Sequence, residues 1–404
     1  MNRPAATTTL HDVLAPHVTR GAVPGAVALV APGGRNRREP EAEVAAVGAM
    51  DTEGSAPMAR DTIFRVASVS KPLVAAAVMA LVDEGRIGLY DPVAPWLPEL
   101  AAPRVVRTPE AAVDDTVPAA APVTVFDLLT FRAGYGFPTD FSLPAVQLLM
   151  SELNQGTPQP QHTVTPDEWM AKLARVPMVH QPGEGWLYNT CSDIQGVLIA
   201  RASGRPLPEF LAERLFGPLG MADTGFSVPA AKLHRFPSYY HRTNGDDGTG
   251  EGLALSDPPG GQWATPPSFP SGAGGLVSTA DDLLAFARML LAKGVSARGE
   301  TLLSPESVAL MTTDHLTPAQ RTASGLFTEG QGWGFGGSVD VAESSPWSVP
   351  GRYGWIGGTG TALHLTPSTG AVTVLLSQVA MTSPVPPVLM RDFWRYAADA
   401  GRRA

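Results

Sequence analysis

The stretch Ser68-Val69-Ser70-Lys71 constrains this chain more than any other. The apolar run 73–82 follows at once and reads as a buried helix. A serine hydroxyl is a weak nucleophile until a neighbouring base takes its proton. Residues i and i+3 share a helix face, so Lys71 can stand beside the Ser68 hydroxyl. A serine at the mouth of a buried helix, with its own base one turn on, is the start of an acyl-enzyme mechanism. The S-x-x-K spacing is common by itself, and its weight comes from the context. Ile63-Phe64-Arg65-Val66-Ala67 reads as an approach to the helix, and Gly85 closes it after Val82-Asp83-Glu84. Leu89-Tyr90-Asp91-Pro92-Val93 then leads into Trp96-Leu97-Pro98.

The rest of the chain supplies a frame for such a helix. Leu10–Thr19 is expected as a short opening helix, residues 23–30 as a first strand and Glu43–Gly48 as its hairpin partner, with a turn-like connection at 32–40. Residues 103–122, rich in Pro, Ala and Asp, read as a long surface connection, and 237–267 as a polar loop rich in Gly and Pro. Helical patterns recur at 124–130, 142–153, 166–175, 192–203 and 207–216. Ser278-Thr279-Ala280-Asp281-Asp282 caps a helix that runs to Leu291, with Gly294 as its stop. Residues 361–365 and Ala371–Ser377 read as strands joined by Pro367-Ser368-Thr369-Gly370, and 388–400 closes the chain as an amphipathic helix. Strands at both ends with helices between them predict a sheet built from both termini and a helical lobe inserted in it.

Composition narrows the function classes. At 404 residues, 44% hydrophobic and 17% charged, the chain is globular and long enough for a large core. Its 42 glycines and 39 prolines make up about a fifth of it, short of the ~25–30% typical of disorder. A net charge of −9 offers no basic face for nucleic acid or anionic lipid. The run 73–82 is about half of the ~20 residues that a membrane span needs. Met1-Asn2-Arg3-Pro4 and the residues after it lack the apolar stretch of a signal peptide, so a cytoplasmic location is expected. Cys191 is the single cysteine and reads as a small buried packing residue. No H-E-x-x-H, cysteine pair, G-x-S-x-G, Walker or Rossmann pattern occurs, so no metal and no cofactor is expected.

A lysine base needs a partner that tunes it and relays its proton. Pro182-Gly183-Glu184-Gly185-Trp186-Leu187-Tyr188 forms a turn that could aim the Tyr188 phenol into a cleft. With a reference pKa of ~10, a tyrosine is a base only where cations depress it. Tyr188 could equally stabilise a neutral Lys71, and both roles stay open here. Acyl transfer also needs N–H donors for the developing oxyanion. Tyr353-Gly354-Trp355-Ile356-Gly357-Gly358-Thr359-Gly360-Thr361 offers a strand edge with little side-chain bulk, against which a substrate can lie. Trp186, Tyr135 and Trp333 read as core.

These three segments, in this order, resemble the motifs of serine β-lactamases and penicillin-binding proteins, most of all the class C β-lactamase-like family VIII carboxylesterases. Phe216-Gly217-Pro218-Leu219-Gly220-Met221-Ala222-Asp223-Thr224 and Gly272-Ala273-Gly274-Gly275-Leu276-Val277-Ser278-Thr279 extend the resemblance, as does 124–134, so that it covers about residues 12–400. It implies an α+β fold of the β-lactamase/transpeptidase kind over 1–404. A mostly antiparallel sheet flanked by helices would come from about 1–100 and 265–404, and a mostly helical lobe from about 101–264, with the site between them. It implies catalytic Ser68, Lys71 and Tyr188, an oxyanion hole of the Ser68 and Gly358 N–H groups, and Trp355 and Gly357 at the substrate.

Two departures shape the expected substrate. The family's second motif commonly carries Asn two residues after the Tyr, where this chain has Thr190, with Asn189 one place earlier. β-Lactamases open the third motif with Lys, where this chain has Trp355. Without that cation the pocket offers nothing to a β-lactam carboxylate, so the expected reaction is hydrolysis of small carboxylic esters. Where Trp355 does not set substrate preference, the loop 237–267 is expected to. The rivals are an acyltransferase of secondary metabolism or a D-aminopeptidase/amide hydrolase on the same residues, and a non-catalytic ligand-binding member of the fold. The expected partner is a small ester, with no nucleic acid and no membrane. Oligomeric state is not legible in the sequence.

Overall fold

Alternation along one strand decides the layering. The computed structural model describes residues 8–33, 41–155, 164–244 and 251–403. Strand β1 (Gly25–Ala31) is buried along its whole length. Ala26, Ala28 and Val30 pack with Leu10 and Leu14 of helix α1 (Leu10–Thr19) and with Met390 and Phe393 near the C-terminus. Val27, Leu29 and Ala31 point the other way into the main core. A strand with apolar residues on both faces must be covered on both, and here helices cover both.

Around β1 the sheet is antiparallel throughout. Its strands are β2 (Glu43–Gly48), β3 (Gly332–Trp333), β4 (Ser338–Val339), β5 (Tyr353–Gly357), β6 (Thr361–Thr366) and β7 (Ala371–Ser377). The spatial order is β2-β1-β7-β6-β5-β4-β3, so the chain's two ends meet where Ala26 pairs with Ser377. The helix Ala280–Leu291 supports one face, and Val388–Arg403 joins α1 on the other, where His17 meets Asp392 at 3.1 Å. This is the α+β architecture expected, a central antiparallel sheet flanked by helices with a helical lobe inserted.

Helix α2 (Ser70–Asp83) has no polar face, because all twelve residues from Ser70 to Leu81 are buried. It packs in the main core with α3 (Thr190–Ser203), whose first ten residues are buried as well. Two segments differ from expectation. Residues 103–122 contain an antiparallel pair, Arg104–Val106 with Thr116–Pro118. Residues 237–267 contain another, Tyr239–Asn244 with Glu251–Asp257. In both, short β-forming runs are diluted by the Pro, Asp and Gly around them. Most of the connection at 32–40, residues 245–250 and the segment Met1 to Pro4 lie outside the described residues.

The second hairpin anchors the approach to α2. Arg65 is buried, with Nε donating to Asp257 at 3.1 Å and Nη1 to the Pro237 carbonyl at 2.7 Å. Its guanidinium also lies 3.9 Å from the Phe236 ring centroid. Removing one partner of a buried ion pair leaves the other charge unpaired and costs about 3–5 kcal/mol. Asp257→Ala should lower unfolding free energy by about that amount in urea titrations. A loss near zero would show that the hairpin does not brace this segment.

Candidate active site

Two strained backbones deliver the central groups. Ser68 stands in a tight 3-10 turn, Ala67–Val69, and α2 begins only at Ser70, later than the sequence suggested. Ala67 has φ +44°, a left-handed conformation that L-residues other than glycine rarely hold. The turn survives because its flanks are pinned. Thr359 Oγ1 donates to the Arg65 carbonyl at 2.6 Å, and Thr361 Oγ1 to the Val66 carbonyl at 3.0 Å. Asn189 is the second strained residue, at φ +85°.

Lys71 is completely buried, and its amine meets three acceptors. Nζ lies 2.8 Å from Ser68 Oγ, 2.9 Å from Asn189 Oδ1 and 2.6 Å from the Ala273 carbonyl. Asn189 and Ala273 fix two of its three substituent positions. The third faces Ser68 and is a hydrogen in the ammonium or a lone pair in the amine. Burial holds Lys71 down to about 7, against the opposing pull of the Asp193 charge. Near neutral pH the amine is therefore available as a base.

Tyr188 is tuned the other way. Burial pushes its phenol up to about 12, and the Ser68 hydroxyl and the Trp355 indole only moderate this. Its ring stacks on Phe327 at 4.6 Å between centroids, and Lys71 Nζ lies 4.7 Å from its centroid. That shift favours the protonated phenol over the phenolate near neutral pH. Trp355 Nε1 donates to Tyr188 Oη at 2.7 Å. An indole can only donate, so the phenol must direct its own proton elsewhere, and Ser68 is its other neighbour.

The cleft around these groups has a volume of about 450 Å³. Ser68, Tyr188, Trp355 and Gly358 all line it, with Phe137, Phe141, Met150 and Phe327 as an apolar wall. Gly358 is tied by its carbonyl to the Met381 N–H at 2.8 Å, and residues 381–384 form the rim. No described residue of 237–267 lines the cleft. Gly357 does not line it either. A Cβ there would stand 2.3 Å from the Val66 carbonyl, so glycine is needed for close approach to the turn before Ser68. Trp186, Tyr135 and Trp333 are core residues as expected, and Cys191 is buried.

Three groups escaped the sequence reading. Asn189, directly after Tyr188, holds Lys71 through its Oδ1 and does so with a positive φ. Thr190 points away and donates to Gln155 Oε1 at 2.7 Å. Asp193 and the Ala273 carbonyl also belong to the site. The signal for Asp193 was present: a carboxylate four residues after Asn189, in a helix otherwise buried.

The geometry generates two expectations. Protonating Lys71 removes the base, so kcat/KM should fall about tenfold per pH unit below about pH 7 and level off above it. A pH–rate profile flat from pH 5 to 8, as chosen test limits of about those values, would exclude Lys71 as the base. Trp355→Phe keeps an aromatic ring but loses the donor to Tyr188. It should lower kcat by about 10- to 100-fold with KM little changed, the scale of one lost orienting hydrogen bond.

The Beta-lactamase family profile matches residues 10–390. Protein Rv1367c of Mycobacterium tuberculosis is 40% identical over 366 residues, covering 89% of this chain and 86% of that protein. Esterase EstB of Burkholderia gladioli is 32% identical over 394 residues, covering 91% of this chain and 90% of that protein. Among solved structures, EstCE1, described as a hydrolase with promiscuous acyltransferase activity, aligns with a TM-score of 0.74 at 25% identity over 96% of this chain and 97% of its own. Likeness to serine hydrolases and acyltransferases along nearly the whole chain supports serine-based acyl-enzyme chemistry. The chain belongs to the beta-lactamase family, and within that superfamily it is related to the family VIII carboxylesterases and acyltransferases.

Proposed function

We propose that the protein is a serine acyl-transfer enzyme that takes the acyl group of small carboxylic esters and passes it to water or to an alcohol. The observation that carries this reading is the buried Lys71 amine, 2.8 Å from Ser68 Oγ, in a cleft with an apolar wall. Ser68 Oγ attacks the ester carbonyl as its proton moves to the neutral Lys71. The N–H groups of Ser68 and Gly358 hold the oxyanion. As the tetrahedral intermediate collapses, Tyr188 gives its phenol proton to the leaving alkoxide and is reprotonated from Lys71. Water or alcohol then attacks the acyl-enzyme, and the same relay runs in reverse.

Two features bear on substrate. Trp355 uses its single polar hydrogen on Tyr188 and has none left for a carboxylate, so β-lactams should be poor substrates. The aromatic wall of Phe137, Phe141 and Phe327 suits an apolar acyl group. A hydrophobic cleft also favours an organic alcohol over water as acceptor, which supports transferase activity beside hydrolysis. The described activity of EstCE1 combines the two.

Intact mass spectrometry with a fluorophosphonate should find one adduct, lost in Ser68→Ala together with several decades of ester turnover. A short p-nitrophenyl ester should exceed a chromogenic cephalosporin in kcat/KM by orders of magnitude. Added alcohol should divert product from acid to new ester. Near wild-type turnover by Ser68→Ala would overturn the reading, and a faster cephalosporin would overturn the substrate class alone.

A further inference from the structure

Asp193 is a buried carboxylate that the proton relay does not use. It lies on α3, 2% exposed, four residues after Asn189. Its Oδ1 accepts from Ser271 Oγ at 2.6 Å and from the Ala273 N–H at 3.0 Å, and its Oδ2 accepts from Gln155 Nε2 at 2.9 Å. Ser271 Oγ in turn accepts from the Gly274 N–H at 3.2 Å. Ala273 therefore has its N–H on Asp193 and its carbonyl on Lys71. The turn presses closely on α3, since a Cβ at Gly272 would stand 2.3 Å from the Ser192 carbonyl. Gln155 closes the network by accepting from Thr190.

We propose that Asp193 is a positioning residue for Lys71, clamping the 271–274 turn whose carbonyl anchors the amine and supplying the negative charge that the buried amine faces. Three hydrogen bonds satisfy the carboxylate, yet none comes from a cation. Of the groups around Lys71, Ser68 and Tyr188 are neutral, and Asp193 is the charge that acts on it. That charge favours the ammonium and works against the desolvation that favours the amine. Asp193 thus holds the base near neutrality, instead of letting burial carry it further down. A Lys71 of still lower basicity would take the Ser68 proton less readily. The inference rests on Lys71 as the base of the proposed reaction.

The chain has only four lysines, Lys71, Lys172, Lys232 and Lys293, so 13C-labelled lysine NMR can follow Lys71 directly, without substrate. Asp193→Asn keeps the shape and can keep the hydrogen bonds, since the Gln155 amide can turn over while Thr190 accepts. It should lower the Lys71 midpoint by about half a pH unit or more, and carry the acid limb of ester turnover down with it. Ser271→Ala retains the charge and should leave the midpoint in place. Asp193→Ser carries the same expectation as Asp193→Asn should that variant fail to fold. A midpoint that stays or rises in the Asp193 variants overturns the proposal, even where turnover falls, because a brace without electrostatic effect lowers turnover alone. Failure of the acyl-transfer reading would show separately, as turnover retained by Ser68→Ala.

Discussion

Burying one amine organises this molecule. A lysine with no exposed surface needs acceptors around it, and its burial favours the neutral amine. Each acceptor comes from a different part of the chain: the turn before α2, the residue before α3, and the 271–274 turn. The burial of α2 withdraws the amine from water and so lowers its basicity. Packing and reactivity are thus one arrangement. The same burial raises Tyr188, so the two groups are driven to opposite protonation preferences by a single cause.

The strain in front of Ser68 belongs to the same arrangement. Ala67 keeps its left-handed backbone because the carbonyls of Arg65 and Val66 are held by Thr359 and Thr361 from the β5–β6 connection. Gly357 permits that approach, and Arg65 is held in turn by the hairpin that contains Asp257. The ends of two inner strands, a turn and a distant hairpin converge on the few residues that present Ser68. This is a rigid support for Ser68, which in the proposed reaction must meet a carbonyl with little tolerance in position.

Much of this was legible beforehand, and the reasons are physical. The buried helix after Ser70-Lys71, the strands at both ends and the order of the three motifs depend on hydrophobic patterning and fixed spacings, which sequence displays directly. The Tyr239–Asn244 and Glu251–Asp257 strands were obscured because their alternation is short and flanked by Gly, Pro and Asp. Trp355 read as a bare pocket wall because a donor's target depends on tertiary contact, and only the fold brings its indole to Tyr188. Asn189 looked displaced by one position because neither its positive φ nor its tertiary contact with Lys71 leaves a trace in spacing.

The buried amine also couples the durability of the fold to its working range. An exposed lysine in the unfolded chain titrates near ~10.4, whereas Lys71 in the fold titrates near about 7. Between those limits the unfolded chain holds the extra proton, so stability rises with pH across this window. Below it both states are protonated, and the fold bears the full penalty of a desolvated ammonium. The two consequences of that proton therefore part near pH 7: above it, falling pH costs the scaffold stability while the neutral amine persists, and below it the neutral amine is withdrawn with no further cost to the fold from this group.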